Sequence, residues 1–238
     1  MSEEYAYVGG ELELFAKARN WKAYWISKLR PYFGKNILEV GAGIGTNTLL
    51  LSPEHSAKWL CLEPDPNLAK LLTAQVAALP NRERFSVQIG DISALPPRAT
   101  FDTILYIDVL EHIEDDGGEL ARVAKHVAPG GNLIVLSPAH QWLFSEFDKS
   151  IGHFRRYTTK MLKALNPPGL VLRKAFYLDA IGLFASLANR LLLKQSLPKP
   201  GQIALWDNYM VPASRLVDPL TGYGAGKTVI GIWTKLVE

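Results

Sequence analysis

The chain predicts an α/β fold, a parallel sheet covered by helices on both faces. Three observations carry this. Between residues 36 and 139, short apolar segments alternate with segments of helical period, and strands that alternate with helices pair in parallel through crossovers. Glycine-rich and acidic motifs fall where those strands end, which is where open α/β sheets place their ligands. At 238 residues, 48% hydrophobic and 21% charged, the chain suits one large domain with a buried core.

In order along the chain, residues 11–33 read as an amphipathic helix. Leu14, Phe15, Ala18, Trp21, Trp25, Ile26 and Leu29 recur at roughly helical spacing, and Pro31 and Gly34 end it. Strands are expected at 36–40 (NILEV), 58–63 (KWLCLE), 84–90 (RFSVQIG), 101–108 (FDTILYID) and 132–139 (NLIVLSPA). Helices are expected at 46–52, 66–79 and 118–128, the last stopped by PGG. Residues 140–158 show no period. A short helix at 159–165, capped by Thr158 or Thr159, is stopped by NPPG. Two more strands follow at 170–178 and 227–236. The insert between them, 179–225, holds an apolar helix at 180–193 and a Pro-rich turn, LPKPG. There is no internal repeat.

The bulk properties exclude several classes. The net charge is only +3 and the basic residues are scattered, so no nucleic-acid partner is expected. Cys61 is the single cysteine, which rules out an intrachain disulfide and a thiolate metal cluster and fits a reducing cytoplasm. MSEEYAYVGG has neither a basic nor an apolar targeting region, so no signal peptide is expected. No apolar run reaches the length of a membrane span.

The strand ends carry the chemistry. LEVGAGIGT places Glu39 before Gly41, Gly43 and Gly45 at the end of the first strand, where glycines let a ligand approach the backbone. The spacing departs from the dinucleotide fingerprint, with Thr46 where the last glycine should stand. Glu63 ends the second strand, and a carboxylate there can accept both hydroxyls of a ribose. Asp91 ends the third; it can accept from an adenine amino group, with Ile92 covering the ring. The bland alternatives are a tight turn for the glycines and helix caps for Glu63 and Asp91. GYGAGKT (222–228) imitates a phosphate loop, but Thr221 stands where glycine is required and a strand follows; it reads as a turn.

Taken jointly, LEVGAGIGT, LEPD, GDI, FDTILYIDVLEHIED and APGGNLIVLSP resemble the class I S-adenosylmethionine-dependent methyltransferases over about residues 36–139. The resemblance implies a Rossmann-like doubly wound sheet of seven strands, order 3-2-1-4-5-7-6, with the last strand antiparallel. It implies that the glycine turn holds the methionine part of the cofactor, that Glu63 and the adjoining Pro64 meet the ribose, and that Asp91 and Ile92 meet adenine. Asp108, Val109 and the pair Glu111–His112 would then lie near the cofactor and the transferred methyl. The implied layout is one domain, 1–238: an N-terminal helical lid (1–34), a cofactor-binding core (35–139), a substrate loop and helix (140–168) and the insert (179–225). Tyr5 and Tyr7 would close over the cofactor. FSEFDKSIGHFRRYT resembles a segment of a bacterial small-molecule subgroup of these enzymes.

Methyl transfer from a sulfonium is an in-line displacement; the cofactor carries the activated group and no metal is required. The protein aligns the acceptor, excludes water and removes a proton where one must leave. Candidate bases are His153 first and His112 second, with His140 also in the irregular stretch. His140, Trp142, Arg155, Arg156 and Tyr157 are the candidate substrate contacts. Two adjacent arginines before a helix cap would welcome an anionic acceptor, or would pair internally with Glu146 and Asp148. The acceptor is expected to be a small or medium-sized metabolite, with oxygen or nitrogen favoured over carbon. The alternatives are a lipid-linked or sugar-bearing envelope intermediate and a non-catalytic S-adenosylmethionine-binding module. DVLE stands where protein and nucleic-acid methylating relatives carry an asparagine-proline-proline-tyrosine type motif. The insert reads as a helix on the sheet edge, a lid, an oligomer contact or a membrane-surface helix.

Overall fold

A computed structural model describes residues 15–51, 57–188 and 199–237 of the chain. Seven strands form one sheet in the order β3-β2-β1-β4-β5-β7-β6. They are β1 Asn36–Val40, β2 Lys58–Glu63, β3 Phe85–Ile89, β4 Phe101–Ile107, β5 Val127–Pro138, β6 Leu170–Leu178 and β7 Thr228–Lys235. The first five pair in parallel, and β7 lies antiparallel between β5 and β6. This is the expected order, and it puts the switch point between β1 and β4, whose chains leave the sheet in opposite directions.

Side-chain alternation explains the two layers. Ile37, Leu105, Ile134 and Leu136 face one core, while Leu38, Ile104, Leu133 and Val135 face the other, all fully buried. Adjacent residues of a strand point to opposite faces, so a sheet covered on both sides has continuous apolar strands.

Helix α1, Arg19–Leu29, packs Trp21, Tyr24, Trp25 and Leu29 on the first face and runs into a 3₁₀ turn, Arg30–Tyr32. It is shorter than the sequence predicts. The chain is non-helical at Ala18 (φ −77°, ψ 70°). The amides of Asn20 and Trp21 are capped from the far end of the chain, by Asp207 Oδ2 at 3.1 Å and Oδ1 at 2.8 Å. A helix can start only where its orphan amides find acceptors. Residues 11–14 of the expected helix, and Tyr5 and Tyr7, lie outside the described residues.

The short helices α2, Thr46–Leu51, and α3, Pro66–Ala77, follow β1 and β2. Asp65 caps α3 by accepting from Asn67 N and Leu68 N, and Pro66 fills the first position. α4, Asp116–Val123, covers the second face. β5 begins at Val127, five residues before the expected start. Pro129–Gly131 is absorbed in the strand by a register shift opposite Phe101 and Thr103, and Gly130 takes φ 73°. A bulge is one of the few sheet positions that tolerate proline and use glycine.

α5, Glu146–Ser150, and α6, Thr159–Leu165, follow β5, and Thr158 caps α6 through Met161 N. The insert is more helical than expected. α7, Ala180–Ala188, α8, Pro200–Leu205, a π turn, Trp206–Met210, and α9, Val211–Leu220, form a layer against α1. Residues 189–193 of the expected apolar helix lie outside the described residues. Pro200, from the expected turn, sits in the first turn of α8, where a missing amide costs little; Pro212 directly follows the π turn, and Pro219 stands inside α9. GYGAGKT is a turn leading into β7. Among the described residues, no helix is long and apolar enough to cross a membrane.

Candidate active site

A cavity of about 1040 Å³ opens at the C-terminal ends of β1, β2 and β4, walled by α1, the loop after β5 and the insert helices. Its floor is the glycine turn. Gly41, Gly43 and Gly45 all take positive φ, 65°, 57° and 83°, which glycine alone adopts freely. A Cβ on Gly41 would stand 2.6 Å from Val109 Cγ2, so glycine also lets the loop after β4 close on the turn. Gly45 does not line the cavity; a Cβ there would meet Leu72 of α3 at 2.5 Å.

Glu63 ties this floor together. Its Oε2 accepts from Gly43 N at 2.7 Å and its Oε1 from Asp65 N at 3.0 Å. Burial pushes its carboxyl up, and these two amides oppose the shift. A carboxylate offers about four acceptor sites, so sites remain for hydroxyls from the cavity, which Glu63, Pro64 and Leu68 line. From α1, Lys22 Nζ donates to Asn47 Oδ1 at 2.6 Å, at the start of the helix that follows the turn. Burial pulls the Lys22 ammonium down, and Asp108 and Glu39 restore part of its basicity.

Several sequence candidates stand elsewhere. Glu39 lies behind the turn, 2% exposed, where Oε2 accepts from Thr48 Oγ1 and Trp59 Nε1; burial raises its carboxyl to about 7. Asp91 caps its own 3₁₀ turn through Ser93 N, and Ile92 is buried in the second core. His140, at φ 67°, is held by Gly226 O at 2.9 Å and stacks on Tyr177, with Trp142 beside it. None of these five lines the cavity.

The loop after β4 carries the densest chemistry. Asp108 takes φ 55° and opens onto the cavity; enclosure raises its carboxyl, offset by Lys22, His153 and Lys227. The next turn, Leu110–His112, buries Glu111 completely. Ser137 Oγ donates to Glu111 Oε2 at 3.0 Å, while Oε1 has no hydrogen-bond partner among the described residues. Burial, reinforced by the charge of Asp108, pushes this carboxyl well up. His112 meets His153 edge to face at 4.5 Å, and burial lowers its imidazole to about 4.

His153 is positioned by Asp148. The His153 Nδ1 lies 3.0 Å from Asp148 Oδ1, and its Nε2 lies 4.0 Å from Glu111 Oε1. Asp148, wholly buried, also takes Arg156 through Nε at 2.7 Å and Nη2 at 2.9 Å, and Ser145 through N and Oγ. Burial opposes ionisation, but the bonds from His153, Arg156 and Ser145 outweigh it and hold the Asp148 carboxyl well below its ordinary range. A carboxylate can only accept, so Nδ1 carries a proton, and in the neutral tautomer Nε2 is the nitrogen with the lone pair.

The adjacent arginines therefore meet internal acids. Arg156 pairs with Asp148 and still touches the cavity. Arg155 turns away, to Asp116 Oδ2 at 2.6 Å and the Glu114 carbonyl at 2.7 Å. Tyr157 is buried and donates to the same Asp116 at 2.7 Å. Glu146, the other expected acid, pairs with Lys149 instead.

The comparisons bear on this arrangement. Residues 38–133 match a family model described as a methyltransferase domain. Over those residues the chain carries a methyltransferase domain. Ajmaline N-methyltransferase of Rauvolfia serpentina is 25% identical over 185 residues, 77% of this chain and 58% of that protein. A ubiquinone biosynthesis O-methyltransferase of Rhodopseudomonas palustris (strain BisB18) is 28% identical over 109 residues, 46% of this chain and 42% of that one. The chain thus spans less than two thirds of either relative. Geranyl diphosphate methyltransferase, solved in complex with SAM, shares the fold at TM-score 0.66 and 13% identity, with 96% of this chain and 92% of that one covered.

In this methyltransferase domain the sequence reading missed Lys22, Asn47, Asp148's role as an anchor, and Lys227. Lys227 Nζ lies 3.6 Å from both Asp179 Oδ2 and the Trp206 ring centroid, on the cavity wall. Lys22 left one trace in the sequence: it stands among Trp21, Trp25 and Ile26, on a helix that buries its apolar residues.

Proposed function

We propose that the protein transfers a methyl group from S-adenosylmethionine to a small or medium-sized metabolite, at oxygen or nitrogen, with an activated carbon as the remaining case. The observation that carries this is the single cavity joining the glycine turn to the His112–His153 pair. At about 1040 Å³ it exceeds the roughly 300–1,000 Å³ of a site for one drug-sized ligand, which supports a cofactor and an acceptor side by side. The N- and O-methyltransferase names of the relatives support the same class.

S-Adenosylmethionine supplies an activated methyl group on a sulfonium. Glu63 has spare acceptor sites for its ribose hydroxyls, and Lys22, beside Gly41 and Asn47, offers a cation to its carboxylate. Trp21, Trp25 and Trp206 wall the acceptor side and keep water out. Where the acceptor must lose a proton, His153 is the group whose lone pair faces the reaction space, oriented by Asp148 as a base is oriented by a third residue. Arg156 is held bidentate by Asp148, so Lys227, more loosely held at 3.6 Å from Asp179 Oδ2, is the cation for an anionic acceptor.

The test is calorimetric titration with S-adenosylmethionine and, separately, NADH, followed by an acceptor panel scored for S-adenosylhomocysteine. Micromolar binding of the first alone, with turnover on an O- or N-nucleophile, is expected. Binding of NADH alone would overturn the reading; binding without turnover on any acceptor would favour a non-catalytic module.

A further inference from the structure

We propose that Glu111, His112 and His153 form a binding site for a divalent first-row transition-metal ion, with its open positions facing the cavity. This departs from the sequence expectation that the chemistry runs without a metal. Their ligand atoms all lie within 4.8 Å of one another, and all three residues line the cavity. A point central to three such atoms lies within about 2.8 Å of each, against roughly 2.0–2.2 Å for coordinated nitrogen and oxygen. Small side-chain rotations close that gap.

The cluster leaves one buried oxygen without a partner among the described residues. Glu111 Oε1 is fully buried without a hydrogen-bond partner among the described residues, a costly condition for a carboxylate oxygen. His153 Nε2 faces it at 4.0 Å, too far for a hydrogen bond. Because the Arg156-paired carboxylate of Asp148 accepts from Nδ1–H, the neutral tautomer of His153 turns the Nε2 lone pair toward Glu111 Oε1. Two acceptors aimed at one point need a proton or a metal ion between them.

The surroundings are those of a metal site. A ligating imidazole usually donates its other N–H to a carboxylate or backbone carbonyl. His153 does so to Asp148, and His112 hydrogen-bonds the backbone at Ile151 and Gly152. The remaining Glu111 oxygen is held by Ser137. Two imidazoles and one carboxylate suit zinc, manganese, iron, cobalt or nickel rather than magnesium or calcium, which take oxygen ligands. Asp108, three residues before Glu111 and also on the cavity wall, adds negative charge within the same loop.

The role of the open position rests on the methyl-transfer reading. An acceptor hydroxyl bound there would lose its proton to solvent more readily, because the ion stabilises the alkoxide. The oxygen pair then forms the bond to the methyl carbon, the carbon–sulfur bond breaks, and its pair stays on sulfur. In that state the ion, rather than His153, promotes deprotonation.

The experiment is titration of the chelator-treated chain with Zn²⁺ by calorimetry and with Co²⁺ by visible absorption, each with a parallel S-adenosylmethionine titration. One equivalent should bind, and Glu111→Gln and His153→Gln should each weaken it at least about tenfold, with His126→Gln, remote from the cluster, unchanged. Thermal unfolding of each variant separates lost ligands from lost structure, and His112→Gln gives a third position. No binding of either ion, or equal binding in the folded variants, would overturn the site. Metal binding without cofactor binding upholds the site and sinks the methyl-transfer reading; cofactor binding without metal binding does the reverse.

Discussion

Replacing Asp148 with asparagine keeps its shape and removes its charge. Asp148 is wholly buried, while the Arg156 side chain it pairs with is 16% exposed and that of His153 9%. Solvent therefore screens little of the loss. Arg156 would keep its charge beside a neutral amide, and removing one partner of such a pair costs about 3–5 kcal/mol. At roughly 2–4 °C per kcal/mol for a chain of this size, the midpoint of thermal unfolding should fall by about 6–20 °C. The double variant Asp148→Asn/Arg156→Gln removes the stranded charge and should recover part of the loss. Chemical denaturation of the parent, both single variants (Asp148→Asn and Arg156→Gln) and the double variant gives the coupling energy directly. A single-variant loss below about 1 kcal/mol, or a coupling near zero, would refute the claim that this pair closes the loop after β5; the loop would then be held by Arg155 and Tyr157 on Asp116.

Glu63→Ala should weaken S-adenosylmethionine binding by about ten- to a hundredfold in calorimetry, the worth of charge-assisted hydrogen bonds at about 1.5–3 kcal/mol; unchanged affinity would remove Glu63 from the ribose assignment. Gly41→Ala should lower stability by about 1–3 kcal/mol, because its φ of 65° and the 2.6 Å approach to Val109 both exclude a side chain. The Glu39 carboxyl is raised from 4.5 to about 7 in the folded chain, so the fold takes up a proton on folding in that window and loses stability as pH rises through it. Above pH 7 the loss approaches about 3 kcal/mol at about 1.4 kcal/mol per pH unit, and Glu39→Gln should flatten the curve between pH 5 and 8; identical pH profiles would show that Glu39 is ionised at its ordinary value.

The fold was largely legible because its signals are local. The apolar runs at 58–63 and 170–178 coincide with β2 and β6, and the helix after Asp65 begins where its cap and proline say. The errors share a cause. The start of α1 depends on Asp207, some 187 residues away, and the early start of β5 depends on a bulge opposite β4. The helices of the insert hide behind prolines, of which Pro200 fills a first turn and Pro212 follows the π turn. Local period cannot report any of these, since each is fixed by an acceptor or neighbour that only the tertiary fold supplies.

The site was legible in its parts and not in its assembly. DVLEH announces an acid, a second acid and a histidine within five residues, and all face the cavity because β4 ends there. GHFRRYT announces a histidine and two arginines, but spacing cannot say which point inward. The deciding fact is Asp148. It draws Arg156 and His153 to one side while Asp116 takes Arg155 and Tyr157 to the other. An apparent cationic patch is thereby neutralised, and its histidine is left facing Glu111. The segment then reads as a device that presents one imidazole lone pair to the loop after β4, rather than as a clamp for an anion. Substitution of Arg155 should accordingly disturb stability without changing acceptor preference, whereas substitution of Arg156 should alter the His153 tautomer through Asp148 and so reach the chemistry.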